Sequence, residues 1–277
     1  MKNIIIPTDF TDNAWKAACY AAQLFHAHPV KFILINNYSA PYSHVEAGMT
    51  ADLAPMREES ESELESFIKR FKDLDHHDQS TFETQSHFGP VYGAVESIEN
   101  DAMGSTLVVM GTKGANSLTE YLLGTTAAGV IKNVKSPVIT VPNSADLKIP
   151  EEIALAIDEK GVDNLHEVRP LTDIAKLHGS KVSIINIHQP DTEVVLTDEA
   201  PEEYVIDHYL EGIQHEYKTL DGEYIEDTIL DFAHQHDMDM LAIVRRDRGF
   251  WGNLFHNSLS KRLAYHSDIP LLVLNDQ

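Results

Sequence analysis

The sequence predicts two tandem doubly wound α/β domains, each built on a five-stranded parallel sheet. Three observations carry this. Short, wholly apolar runs such as Ile4-Ile5-Ile6 and Leu107-Val108-Val109-Met110 recur along the chain, as strands covered on both faces require. Segments with apolar residues at helical spacing separate them, and strand–helix–strand alternation with short connections builds parallel sheets through right-handed crossovers. The pattern then starts again near residue 153. An internal repeat of domain length marks a duplication rather than a solenoid. The two domains take residues 1–145 and 150–277, joined through the polar, proline-bounded stretch 143–152.

In the first half, Ile4-Ile5-Ile6 reads as the first buried strand. Pro7-Thr8-Asp9-Phe10-Thr11-Asp12 ends it, and Thr11 or Asp12 can cap a helix whose stripe is Ala14, Ala17, Ala18, Ala21, Ala22, Leu24 and Phe25. Residues 30–35 form the second strand, ending at Asn36-Asn37-Tyr38, and 39–50 read as a polar excursion or lid. Residues 51–73 carry Leu53, Met56, Leu64, Phe67, Ile68 and Phe71 on one stripe, with glutamates on the solvated face of an amphipathic helix. Residues 81–87 alternate like a half-exposed strand, which Gly89-Pro90 breaks; Val91, Ala94, Val95 and Ile98 mark the next helix. Residues 107–110 and 137–142 supply the fourth and fifth strands. In the second half, Ile153-Ala154-Leu155-Ala156-Ile157-Asp158 matches the first strand and its Asp9, and 171–177 matches the first helix. Residues 182–187 match the second strand, 225–235 and 239–244 match the helix before the fourth strand and the fourth strand itself, and 269–274 the fifth strand. The second helix is shorter there, around 201–212.

The most informative stretch follows the fourth strand. Met110-Gly111-Thr112-Lys113-Gly114 leads through a loop to Gly124-Thr125-Thr126 and a helical pattern. In open α/β sheets, ligands sit outside the carboxyl ends of the strands. Glycine lets the backbone approach a phosphate closely. A helix start offers unpaired N–H groups and a positive dipole end to an anion, while Thr125 and Thr126 add hydroxyls and can cap the helix. The bland alternative is a tight turn and a helix cap with no ligand.

The spacing Gly111-x2-Gly114-x9-Gly124-Thr125 resembles the ATP-binding motif of the universal stress protein family. The opening IIIPTDFTDNAWKAACYAAQLF and the later TLVVMGTKG and LLGTTAAGVIKNVKSPVITVP resemble that family's first strand and helix, nucleotide segment and last strand. The whole chain is similar to a tandem member, with an adenine nucleotide alpha hydrolase-like, Rossmann-like fold. The resemblance implies ATP, with Mg²⁺ arriving on its phosphates, bound across the carboxyl edge of the first sheet. Pro7, Thr8 and Asp9 would lie by the nucleoside and the backbone near Asn37 by the base; Asn36-Asn37 stands where relatives often have His-Val. Met110, Gly111, Lys113, Gly114, Gly124, Thr125 and Thr126 would surround ribose and phosphates. Asp9 can alternatively cap the next helix, and Lys113 can alternatively point to water. Single-domain relatives pair through their last strands, so 138–141 and 271–274 are expected to meet inside this chain as an internal pseudo-dimer; homodimerisation of the tandem stays open.

The second half departs from the motif: Arg245-Arg246-Asp247-Arg248-Gly249 follows its fourth strand, and Asn257-Ser258 stands where Gly-Ser or Gly-Thr would be. Loss of ATP binding with the arginines paired to the acidic surface is the expectation. An arginine site for another anion is the alternative.

A formal net charge of −23 argues against nucleic acid or an anionic membrane as partner, since both attract clustered Lys and Arg. No apolar run approaches the ~18 residues of a membrane span. Cys19 is the one cysteine, which rules out a disulfide within the chain, suits a reducing cytoplasm and reads as a small core residue. Met1-Lys2-Asn3 leads straight into a strand without a leader pattern. Among 15 histidines, His26-x-His28, His76-His77-Asp78 and His234-x-His236-Asp237 are the closest groupings; none has an evident third and fourth ligand, so no metal site is expected. No Ser-His-Asp, Cys-His or Gly-x4-Gly-Lys-[Ser/Thr] pattern can be assembled. With Lys113 the only evident cation in the motif loop, fast ATP hydrolysis lacks its charge clamp. A nucleotide-binding stress regulator, not an enzyme, is the reading. Slow ATP hydrolysis and an empty-pocket interaction protein are the alternatives.

Overall fold

The computed structural model describes residues 1–39, 52–74, 76–112, 124–157, 165–188, 202–222, 224–245 and 267–275. The chain divides into two compact units, Met1–Ser136 and Pro137–Gln277.

In the first unit the order is β1 (Asn3–Pro7), α1 (Asp12–Leu24), β2 (Lys31–Tyr38), α2 (Ala54–Lys72), β3 (Thr81–Phe88), α3 (Val91–Asp101), β4 (Thr106–Gly111) and α4 (Thr125–Asn133). The strands lie in the order β3-β2-β1-β4, and all neighbours are parallel, with Ile4 beside both Phe32 and Leu107. Flanked on both sides, β1 is covered on both faces, and Ile4, Ile5 and Ile6 are fully buried. That is why its sequence is a continuous apolar run rather than an alternation.

Helix starts follow local chemistry. Thr11 is the cap of α1: its Oγ1 accepts the Ala14 N–H at 3.3 Å, and Asp12 takes the first turn, where its charge suits the helix dipole. Gly124 occupies the cap position of α4, so Thr125 and Thr126 open the helix instead of capping it. The stripe of α2 differs from the predicted one. Leu64, Phe67 and Phe71 are buried as expected, Leu53 precedes the helix, Met56 and Ile68 are only half-buried, and the polar Ser60 is buried with the apolar residues.

The second unit contains β5 (Val138–Val141), β6 (Glu152–Ile157), α5 (Leu165–His178), β7 (Lys181–His188), α6 (Glu202–Tyr209), β8 (His215–Asp221), α7 (Ile225–Gln235), β9 (Met240–Arg245) and β10 (Leu271–Asn275). Its strand order is β5-β10-β9-β6-β7-β8. The β10–β9–β6–β7–β8 neighbours are parallel, while β5 pairs antiparallel with β10, Thr140 opposite Leu271 and Val138 opposite Val273. The segments 138–141 and 271–274 therefore meet as the sequence led one to expect, and β5, which follows the first repeat in sequence, packs with the second unit. The strand β8 escaped the repeat comparison. Its His-Glu-Tyr-Lys-Thr-Leu-Asp sequence is mostly half-exposed, so its hydropathy signal is weak. Pairing with β7 holds it, helped by Glu216 between Lys181 (2.7 Å) and Lys218 (3.2 Å). No described helix is long and apolar enough to cross a membrane.

Candidate functional site

The carboxyl ends of β1, β2 and β4 border an open cleft of about 590 Å³, where an open α/β sheet leaves a crevice. The end of β1 contributes Pro7, Thr8 and Asp9; β2 contributes Asn36 and Asn37; β4 and its exit contribute Met110, Gly111 and Thr112. Gly124, Thr126 and Ala127 come from the start of α4, with Ala14 of α1 and Val91 of α3 beside them. Eight of the predicted site residues thus converge on one cleft. Thr125 is exposed at the first position of α4. Lys113 and Gly114 lie outside the described residues, as do the expected lid at 40–50 and Arg246, Arg248, Gly249, Asn257 and Ser258 of the second half.

The floor is held by a chain of buried polar groups. The Thr8 N–H donates to the Ile35 carbonyl at 2.8 Å, continuing the β1–β2 ladder one step past the strand. Asn36 Nδ2 donates to the Thr8 carbonyl at 2.7 Å, and Asn36 Oδ1 accepts from Ser60 Oγ of α2 at 2.7 Å. Ser60 Oγ also lies 2.7 Å from Ser86 Oγ of β3. Next to Thr8, Phe10 has φ 63°, a left-handed conformation that bulky residues rarely take. Its N–H donates to Thr8 Oγ1 at 3.0 Å, and its ring meets Phe67 edge-on at 6.0 Å. A strained residue fixed from two sides is characteristic of a shaped binding loop. Asp9 Oδ1 accepts from Thr11 Oγ1 at 2.6 Å and from the Thr11 N–H at 3.2 Å. It therefore supports the capping residue rather than capping α1 itself, and its exposed carboxylate lines the cleft.

Gly111 has a packing reason beside the predicted one. A Cβ there would stand 2.8 Å from Asn13 Cγ and 3.1 Å from the Asn13 carbonyl oxygen, so only glycine lets α1 approach the end of β4. The Gly124 N–H donates to the Thr112 carbonyl at 2.6 Å, which ties the two ends of the intervening loop. That amide is therefore unavailable to a ligand. The first turn of α4, from Thr125 to Ala127, carries the N–H groups that a helix start leaves unpaired.

The electrostatics are simple. Asp9 is the only charged side chain among the described lining residues, so attraction for an anion comes from the α4 dipole, worth about 0.3–1 kcal/mol and up to ~2 when partly buried. Beside Asn37 in register stands His87 of β3. Burial pushes its imidazole below the ordinary value, so it is neutral near pH 7.

Sequence reasoning did not single out Asn13 and Ser60. The signal for Ser60 was present, since it falls four residues after Met56 and four before Leu64 on the α2 stripe. The histidine groupings have local partners. His26 Nδ1, His76 Nε2 and His236 Nδ1 lie 2.9, 2.7 and 3.0 Å from the carbonyls of Gln23, Phe71 and Phe232, at or just beyond helix ends.

A model described as the universal stress protein family matches residues 1–142 and 151–275. The chain belongs to the universal stress protein family. A universal stress protein from Archaeoglobus fulgidus DSM 4304 shares its fold with a TM-score of 0.68 at 16% identity, over 99% of this chain and 96% of that one. A putative universal stress protein from Pseudomonas aeruginosa UCBPP-PA14 gives 0.55 at 16% identity, over 99% and 93%. A functionally unknown protein from Pseudomonas aeruginosa PAO1 gives 0.58 at 15%, over 99% and 92%. At such identities the likeness is one of fold. No curated protein matches the chain. The two family matches correspond to the two halves of this universal stress protein, and the cleft lies in the first.

Proposed function

We propose that the first half of this universal stress protein binds ATP in the cleft, with Mg²⁺ on the phosphates, and that the protein is a nucleotide-dependent regulator of a stress response rather than an enzyme. The observation that carries the reading is the open cleft at the strand ends, with the first turn of α4 on its rim and glycine at 111 and 124. The ends of β2 and β4 flank β1, two strand spacings apart, about 10 Å. That is the reach of a nucleoside from base to 5′-phosphate, so the base would lie toward Asn37 and the phosphates toward Thr125 and Thr126. Lys113 and Gly114 belong to the same proposal. The overall charge of −23 is not prohibitive, because salt screens distant charges beyond about 8 Å at physiological ionic strength. Cytoplasmic location, a β5–β10 pseudo-dimer within one chain and a second half without ATP are part of this reading.

The test is to release and identify small molecules from gently purified protein, then titrate it with Mg-ATP by calorimetry. Saturable binding of one ATP per chain is expected, with negligible turnover. Absence of nucleotide and of binding would overturn the reading. A stoichiometry of two would overturn the loss of binding in the second half, and turnover at more than a trickle would restore the enzyme alternative.

A further inference from the structure

We propose that His215 and Asp207 form a proton-operated latch in the second unit, which ties the end of α6 to the start of β8 while the imidazole carries two protons and lets go as pH rises. The two ring nitrogens decide this. His215 Nε2 lies 2.9 Å from Asp207 Oδ1 of α6, and Nδ1 lies 2.8 Å from the Ile213 carbonyl oxygen. A carboxylate and a carbonyl can only accept. A neutral imidazole has one N–H, so one of its nitrogens would set a lone pair against an oxygen. Only the imidazolium donates to both.

His215 and Tyr217 share one face of β8, in register with the buried Val182 and Ile184 of β7. Tyr217 donates its hydroxyl to the same Asp207 oxygen at 2.8 Å, which fixes the carboxylate. Glu216 stands on the other face, in register with Ser183, and takes Lys181, Ser183 and Lys218 as partners. His208 and Glu211 beside the turn are exposed; on α5, which packs on α6, Arg169 and Lys176 are exposed and Asp173 is half-buried. The charge that acts on the imidazole is that of Asp207. Burial pushes the imidazole down, but the Ile213 carbonyl and Asp207 outweigh it and raise His215 above the ordinary 6.5.

A group whose folded value is raised contributes stability that is complete below the unfolded value and is lost as pH rises through the folded one. The latch is therefore shut below about 6.5 and opens above it. What it holds is local. The Leu210 N–H donates to the Ile206 carbonyl at 3.0 Å and the Ile213 N–H to the Leu210 carbonyl at 2.8 Å, with Gly212 between them at φ +79°. Ile206, Leu210 and Ile213 are buried, so the unit stays folded when the latch opens, and the opening is confined to this turn. The proposal does not rest on the nucleotide reading.

Two readouts on the full-length protein test it. Histidine ring signals, assigned through His215→Gln, are followed by NMR from about pH 5 to pH 9, the range in which histidine changes charge. The His215 midpoint is expected above 6.5 and lower in Asp207→Asn. Hydrogen exchange of the Leu210 and Ile213 amides, corrected for the intrinsic rise of exchange with pH, is compared on the two sides of that midpoint. Protection should fall about twofold to fivefold on the alkaline side, the size that an ion pair partly open to solvent supports. The Leu241 amide, which donates to the Pro270 carbonyl, should show no such step, and Asp207→Asn should abolish the step at Leu210 and Ile213. A midpoint at or below 6.5, or one unmoved in Asp207→Asn, would overturn the pairing. Protection that passes the midpoint without a step would overturn the latch. Asp207 is exposed, so Asp207→Asn should fold, and the titration of the unaltered protein decides the charge without any variant.

Discussion

Ser60→Ala tests whether the floor of the cleft is held as the hydrogen bonds indicate. The substitution removes one oxygen from a helix position that is 4% exposed, and it creates no cavity of consequence. It leaves Asn36 Oδ1, in a buried side chain, without its 2.7 Å donor. An orphaned buried acceptor costs about 1–3 kcal/mol. Ser86 loses a partner too, but it is half-buried and can turn toward water, which adds little. Alanine returns up to about 0.5 kcal/mol as the better helix former. The net expectation is a loss of about 1–2 kcal/mol, or ~2–4 °C in Tm for each kcal/mol. Urea unfolding would be followed by Trp15 fluorescence in a Trp251→Phe background, because Trp15 packs between Arg70 and Phe67 in the first unit. A lower midpoint at unchanged slope is the expected signature. Asn36→Leu on the same background should be non-additive with Ser60→Ala, since the two side chains share one bond. A single-variant change below about 0.3 kcal/mol, or strict additivity at the ~0.3–0.5 kcal/mol level of independent sites, would refute the network account.

Gly111→Ala should destabilise the first unit by about 1–3 kcal/mol through overpacking against Asn13. Asn13→Ala in the same chain should recover part of that loss in urea melts, and the remainder should reflect the Asn13 carbonyl, which stays 3.1 Å away. If glycine served phosphate approach alone, Gly111→Ala would leave stability unchanged. On β8, the Lys181 hydrogen bond holds the Glu216 carboxyl well below its usual 4.5, at about 2, with Lys218 adding to the effect. A carboxyl whose folded value is depressed stabilises fully above the unfolded value and loses that contribution as pH falls toward the folded one. Stability should therefore decline between about 4.5 and 2, and Glu216→Gln should flatten that part of the acid limb; an unchanged limb would count against the pairing. Burial pushes the Cys19 thiol up, with Arg70 opposing. Cys19, expected from the sequence to be a core residue, is only half-buried on α1; labelling by a disulfide reagent at pH 8 should be slower in the folded protein than in urea, and equal rates would count against the raised thiol.

Much of this architecture was legible in the sequence because burial on two faces writes itself as continuous apolar runs. The Ile4-Ile5-Ile6 run, the 107–110 run and the 269–274 repeat all named strands correctly to within a residue or two. The strand β8 was not legible, since a half-exposed strand with ion-paired lysines leaves no such run. Within the cleft, the residues at the ends of β1 and β4 could be found from glycine spacing and position after a strand. Asn13 could not, because it acts through Gly111, a partner distant in sequence; Ser60 could be placed on the buried stripe of its helix, but its partners Asn36 and Ser86 could not.

The sequence by itself determined the repeated α/β pattern, the family and the segment around Gly111 and Gly124, since periodicity and glycine spacing are local properties of the chain. Only the tertiary structure decided that Gly111 makes room for Asn13 and that Gly124 uses its amide on Thr112. Each of these depends on which atoms meet across tens of residues, and hydrogen-bond geometry and van der Waals contact act on that distance in space alone.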